Sequence, residues 1–389
     1  MRRLAFAVVP VALLAGCSTP SPGGQTCGFA ALPDPVLVLE RSEDDETAAL
    51  ARLAGGCLDE SPTDPVLGQD QFLLQAHATG QPFVGVNTDG SLREIAEDRI
   101  AITDTFDVYQ DQTTPSSRPH GIYGVDVDGS GDLWVSRLDL PSVAILSPAG
   151  KLVTTVDLSD LDPDGNPDMN GILVQGGQAF VALEFLQDGP GGVVSDAAKQ
   201  PGALAVIDVA SRLRVGLIQL PGHNPVQRFV PTGSPSVFLM AMPGQHDLIS
   251  QEDGIDSIDL AKGTATQVIS ETALGGSVDN VVWAGPTEAY AIVEGPVAGV
   301  NPTSVVAFDP TRGVVTRTLA KAPYFTDDSL EGYVFVGLAV DGDVVLVADQ
   351  TTGSAAIRVF PRAGGAELPR IPTTVDPPVS LLTLGAMPD

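Results

Sequence analysis

The feature that most constrains this chain is a repeat. From residue 121 onward, short alternating, β-branched segments recur in groups of four, separated by turn residues. One group reads "GIYGVDVDGSGDLWVSRLDLPSVAILSPAGKLVTTVDLS", another "YVFVGLAVDGDVVLVADQTTGSAAIRVFPRAGGAELPRI", and three more lie between them. The groups begin near residues 121, 170, 225, 279 and 333, a period of about 50. Each runs strand A, tight turn, strand B, loop, strand C, tight turn, strand D. One such sheet leaves its edges open, whereas several arranged radially protect them. The repeat therefore predicts an all-β chain, a single β-propeller of four-stranded blades over residues 66–389.

A ring must close. "PVSLLTLG" (378–385) reads as a lone strand A, and "QFLLQAHATGQPFVGVNTDGSLREIAE" (71–97) as strands B, C and D of the same sheet. Joined, they make a sixth blade from both ends of the chain. Six is the expected number, and seven follows if "PDPVLVLE" or "RIAITDTFDVYQ" contributes strands. Ahead of the ring, residues 17–65 read as a tether and a short helix. Ser42 and Asp45 resemble a capping box, Ala49, Leu50 and Leu53 follow at helical spacing, and Gly55–Gly56 stop it.

The stretch "DVDGSGDL" presents Asp126, Asp128, Ser130 and Asp132 around glycines, as a cation loop does, but every other group carries turn residues at the same place. A hairpin is the expectation there. "DLDPDGNPDMNG" is different. Asp160, Asp162, Asp164 and Asp168 fall at alternating positions that let carboxylates converge on one hard cation, which makes calcium the candidate cofactor. Its twelfth position is Gly171 rather than a bidentate Glu, so an acidic connector between blades is the competing reading.

The start, "MRRLAFAVVPVALLAGCS", has Arg2 and Arg3, a short apolar run and small residues before Cys17. That pattern is a secretory signal over residues 1–16. "LAGC" resembles the lipobox of bacterial lipoproteins, which implies that Cys17 is diacylated and becomes the first mature residue; Ser18 then points to the outer membrane. Cys27 and Cys57 remain as an even pair in an oxidising compartment, expected to form a disulfide. With 49 acidic against 20 basic residues, the net charge of −29 argues against nucleic acid as a partner.

Function is sought in the loops. A–B and C–D turns are short, whereas B–C and D–A connections are long and leave the ring on one shared face. Polar side chains expected around the channel on that face are His77, Asp139, Glu184, His246, Glu294 and Asp349, with Asn170, Asn224 and Asp279 from the D–A connections. "RPHGIYGVDVDGSGDLWVS" and, less closely, "GHNPVQRFVPTGSPSVFLM" resemble the rhythm of NHL, YVTN and gluconolactonase-type propellers. The gluconolactonase-like resemblance implies a divalent metal held at the channel mouth by a Glu, two Asn and an Asp, which Asn170, Glu184, Asn224 and Asp349 could supply, with Asp279 and Glu294 nearby. Here, however, no Glu motif stands near the propeller's start, where that family has it. Two functions follow: a non-catalytic module binding an envelope protein or glycan through its elaborated face, with Phe185, Tyr324 and Phe325 as an apolar patch, or a metal-dependent hydrolase or lactonase.

Overall fold

The computed structural model describes residues 26–27, 32–41, 48–55, 57–60, 71–96, 100–112, 121–188, 194–244, 249–295, 303–322, 335–351, 353–373 and 376–384. Cys17, His120, His246, Tyr324, Phe325 and the Ser42–Asp45 pair lie outside them.

Seven radial sheets form the ring. Blades 2 to 7 run in chain order over residues 71–107, 122–157, 169–219, 226–270, 277–321 and 335–372, each with four antiparallel strands. Blade 1 is built from both ends of the chain. Its innermost strand is Pro378–Thr383, followed by Val36–Arg41, Ala48–Ala54 and Cys57–Glu60, with Thr26–Cys27 added outside.

The ring therefore holds seven blades, and both segments named as the condition for a seventh take part. Val36–Arg41 is strand B of blade 1, and Ile102–Asp107 is strand D of blade 2. The expected sixth blade was out of phase by one strand: Gln71–Gln75 is the innermost strand of its own sheet, not strand B of the closing one. The reason is that a hairpin pattern fixes which segments pair but not which of them faces the axis.

The helix expected after Ser42 is a strand instead. Ala48–Ala54 pairs with Val36–Arg41 on one side and with Cys57–Glu60 on the other, and Gly55 makes the intervening turn at φ 59°. Ala and Leu favour a helix only weakly, and here Leu50, Ala51 and Leu53 gain full burial in the closing sheet. Residues 36–60 thus belong to the propeller rather than to a segment ahead of it. Cys27 stands opposite Cys57 in the register of the two outer strands.

The "DVDGSGDL" stretch forms the expected hairpin. Gly131, at φ 86°, donates to the Asp128 carbonyl at 2.9 Å, and the Asp128 carboxylate accepts from Ser130 N (2.8 Å), Asp132 N (3.1 Å) and Trp134 Nε1 (3.0 Å). Between blades, apolar side chains from facing sheets interdigitate. One such layer joins Trp134 and Val143 of blade 3 to Ile172, Val181 and Ala205 of blade 4. Arg137, fully buried, locks the connection from blade 2 onto blade 3 through a bidentate pair with Asp111 (2.6 and 3.0 Å) and a bond to the Val108 carbonyl (3.0 Å). The Arg137 guanidinium holds the Asp111 carboxyl below the usual carboxylate range, against the opposing effect of burial.

Closure should dominate stability. Leu382 is 1% exposed and pairs with Leu37 across the seam. Leu382→Ala is expected to cost about 2–5 kcal/mol in urea unfolding. Deleting residues 376–389 should remove the cooperative transition altogether.

Candidate functional site

The channel opens on the face where the innermost strands begin, and there it widens into a cavity of about 570 Å³. That volume is within the usual range for small-molecule sites. Two kinds of position furnish it. Asn170, Asn224 and Gln71 stand at or just before the starts of innermost strands, whereas Arg41 and Glu184 stand at the ends of second strands. Arg228 and Asn280 lie one step deeper, on the innermost strands of blades 5 and 6.

The blade 3–blade 4 junction sets the rim. Gly124 approaches blade 4 so closely that an added Cβ would lie 2.7 Å from Ile172 N. Ser136 Oγ donates to the carbonyls of Gly124 (3.3 Å) and Asn170, fixing the Asn170 backbone. The Asn170 amide then donates through Nδ2 to Glu184 Oε1, while its Oδ1 is buried without a partner. Asn224 donates to the Gly244 carbonyl at 3.3 Å.

Backbone strain gathers at this rim. Among the described residues four non-glycine positions have positive φ, and three of them, Asp168 (50°), Phe185 (53°) and Asn224 (57°), adjoin Asn170, Glu184 or the cavity itself. Asp and Asn tolerate that region, but a bulky aromatic does so rarely. Asp168 is held there by bonds from Leu186 N (2.8 Å) and Asn166 Nδ2 (3.1 Å). Phe185 is 2% exposed and packs in the core, so it offers no surface patch.

The remaining expected site residues disperse. Asp139 accepts from Tyr109 Oη at 2.5 Å and from Gly121 N at 3.2 Å, tying down a connection. Burial, then the Asp139 charge, push the Tyr109 hydroxyl far above its ordinary pKa. Asp349 accepts from Thr351 N (2.9 Å) and Thr351 Oγ1 (2.5 Å) and lies 3.7 Å from Arg358. Neither it nor the buried Glu294 lines the cavity, and the side chain of Asp279 is outside the described set. His77 sits at the opposite end of the channel. It belongs to an A–B turn, because its strand is innermost rather than second, and its ring meets the edge of Phe238 at 5.3 Å. Burial lowers its pKa and keeps the imidazole neutral.

The four aspartates of the acidic loop do not converge. Asp160 pairs with Arg214 (2.7 Å), Asp162 with Lys199 Nζ (2.9 Å), and Asp164 with the same ammonium. Lys199 follows a two-stranded ribbon, Leu186–Asp188 with Val194–Ala198, that occupies the long B–C connection of blade 4. The loop's charge is therefore met by side chains that anchor this ribbon. Among the described residues no group of three His, Cys, Asp or Glu side chains is placed to hold a metal. At the cavity itself Glu184 is the one carboxylate among the described lining residues, against the guanidiniums of Arg41 and Arg228. Beside Glu184 stand the side-chain amides of Asn170, Asn224 and Gln71.

Sequence reasoning found Asn170, Glu184 and Asn224 but missed Gln71, Arg228 and Asn280, which lie within innermost strands. Arg228 carried a signal: it interrupts the apolar pattern where other blades place a small or apolar residue.

A second acidic group lies beside the rim. Asp253 accepts from His223 N and Nδ1, both at 2.8 Å, and Asp256 accepts from Gly222 N at 3.2 Å. Glu271 accepts from Ser250 N at 3.0 Å and Val278 N at 3.3 Å. Burial, which outweighs these bonds, raises the pKa of Asp256 and of Glu271 to about 7.

No family model matches the chain, and no curated protein does. Among solved structures it is similar to a putative 6-phosphogluconolactonase from Bacteroides fragilis, 12% identical over 94% of this chain and 99% of that one, with a TM-score of 0.52. It is also similar to the dihydro-heme d1 dehydrogenase NirN in complex with DHE, 14% identical over 93% of this chain and 70% of that one, at 0.51. The likeness is one of fold. At such identity the architecture is shared and the chemistry is not thereby specified.

The raised carboxyls make a pH prediction. Between pH 4 and 7 Asp256 and Glu271 stay protonated in the fold while they ionise in the unfolded chain. The folded state then binds more protons, so their contribution to stability falls as pH rises through that window and levels off above it. Asp256→Asn should flatten the decline measured by urea unfolding between pH 5 and 7.5 by about 1–3 kcal/mol.

Proposed function

We propose that this protein is a lipid-anchored recognition module of the cell envelope, engaging an envelope protein or glycan with the elaborated face of its propeller. The observation that carries the reading is that the channel cavity and the blade 4 ribbon open on one face. The ring thus presents a concave, part-polar pocket on the face that carries a two-stranded ribbon, the arrangement by which scaffolds commonly display binding loops. The ribbon is well founded for that purpose. Lys199 N donates to the Phe185 carbonyl at 2.7 Å, and the Lys199 ammonium bridges Asp162 and Asp164.

The address belongs to the same proposal. Cys17 is the lipidated residue after removal of residues 1–16, placing the protein at the outer membrane with its face toward periplasm or exterior. In that oxidising compartment Cys27 and Cys57, opposed in register, form a disulfide that fastens the outermost strand to the closing blade. It would contribute on the order of 3 kcal/mol.

Two measurements test this. Cys17→Ala should abolish incorporation of labelled palmitate and move the protein from the membrane fraction to the soluble one. Separately, crosslinked pull-down from the native envelope should recover a stoichiometric partner. Replacing residues 187–197 with a short glycine linker, with Leu186 and Lys199 retained, should eliminate that partner and leave the melting temperature within about 2 °C. A large loss of stability would make the ribbon a structural element instead.

A further inference from the structure

The cavity holds an unmet positive charge. Arg228 lines it from the innermost strand of blade 5, and among the described residues its guanidinium has no hydrogen bond or ion pair. Desolvation lowers its pKa, and no carboxylate among the described residues offsets that cost. The contrast within the molecule is sharp. Arg137, Arg317, Arg358 and Arg362 each meet one or more carboxylates at 3.3 Å or less. In a chain of net charge −29, a guanidinium left alone is not explained by any shortage of acids. The side chain is partly buried, and withdrawing a charge from water without a partner carries a cost that an Arg does not escape by losing its proton.

Further unpaired polar atoms line the same space. Gln71 is 4% exposed, and both Oε1 and Nε2 of its amide are buried without partners. Asn170, 5% exposed, has its Oδ1 in the same condition. Buried amides are nearly always satisfied within a protein. Two such groups and a lone guanidinium on one cavity are a set of donors and acceptors waiting for a ligand.

We propose that the cavity binds a small hydroxylated monocarboxylate, its carboxylate on Arg228 and its hydroxyls on Gln71, Asn170 and Glu184. This rests on the recognition reading and names the ligand of that same face. A guanidinium pairs with carboxylate or phosphate alike, but Glu184 shares the cavity. Its charge opposes the second negative charge of a phosphate dianion, whereas a monocarboxylate neutralises Arg228 without adding that second charge beside Glu184. Apolar wall residues such as Val226, Val336 and Leu338 would cover the carbon skeleton. A free hydroxy acid and the acidic terminus of a glycan present this same chemistry.

The test is calorimetry on the detergent-solubilised mature lipoprotein with D-glucuronate, its methyl glycoside, D-glucose and inorganic phosphate. Glucuronate is expected to bind at least tenfold more tightly than glucose, and phosphate to give no saturable heat. If the methyl glycoside matches the free acid, the source is a glycan terminus; if it fails, the source is the free acid. Arg228→Met should reduce glucuronate affinity at least tenfold, to the level of glucose, without lowering the melting temperature, since the change removes an uncompensated charge. Gln71→Ala should weaken both sugars together. Glucuronate no tighter than glucose, phosphate tighter than glucuronate, or a melting temperature lowered by more than about 5 °C in Arg228→Met would overturn the assignment. If glucuronate fails while ribbon-dependent partner capture persists, the ligand assignment alone falls; loss of both removes the recognition reading as well.

Discussion

The whole ring depends on one pairing of strands from opposite ends of the chain. Val36–Arg41 lies antiparallel to Pro378–Thr383, with Val38 opposite Leu381 and Leu37 opposite Leu382. Backbone bonds extend the seam at both ends, from Arg41 N to the Pro377 carbonyl at 3.0 Å and from Leu384 N to the Pro35 carbonyl at 2.8 Å. Without this pairing blades 7 and 2 would each present an apolar sheet face to water, and a strand edge would be open to other chains. With it, every blade packs on two neighbours and the channel acquires a fixed rim. Closure is also costly in chain entropy, since it joins segments more than 300 residues apart in sequence. The nearly continuous burial of Val36, Leu37, Val38 and Leu39 is what offsets that cost.

The rim inherits its precision from that closure. Asn170 and Glu184 meet because Ser136 of one blade holds the backbone of the next, and because Gly124 lets the two innermost strands approach. Tolerating left-handed backbone at Asp168, Phe185 and Asn224 requires surroundings that over-determine it. The Asp168 carboxylate supplies one such constraint through its bond from Leu186 N, and burial of Phe185 supplies another. The lower end of the channel is organised differently. There Asp126 gathers the backbone amides of Ala78 (3.1 Å), Val127 (2.8 Å) and Val174 (2.6 Å), stitching three consecutive blades together. Asp126 thus ties three blades together at one end, while at the other Gln71 and Asn170 keep buried polar atoms without partners.

Charge is distributed in keeping with this division. Among the described residues, carboxylates serve turns and ion pairs, as at Asp128, Asp208 and Asp309, which cap their own hairpins. Even the acidic loop that looks like a cation site is neutralised by Lys199 and Arg214. Spacing of carboxylates along a chain shows that they can converge, but whether they do is decided by which basic residues arrive from elsewhere. Lys199 comes from 35 residues downstream of Asp164, and Arg214 from 54 downstream of Asp160.

The unit of construction is written in the local pattern of residues. Alternation and turn chemistry specify which segments pair, so five of the seven blades were legible strand by strand, and so were the short-turned and long-looped faces. Asn170, Glu184 and Asn224 were legible for the same reason, since their places at strand ends follow from the repeat. The phase of the repeat is set only when the ring closes, because a hairpin looks the same whether its first or second strand faces the axis. That decision turned six blades into seven, drew the Ala-rich segment 48–54 from a helix into a strand, and sent His77 to the far end of the channel. It also brought Gln71, Asn170 and Arg228 around one cavity from blades 2, 4 and 5. No local pattern links residues so far apart; only the closed ring does.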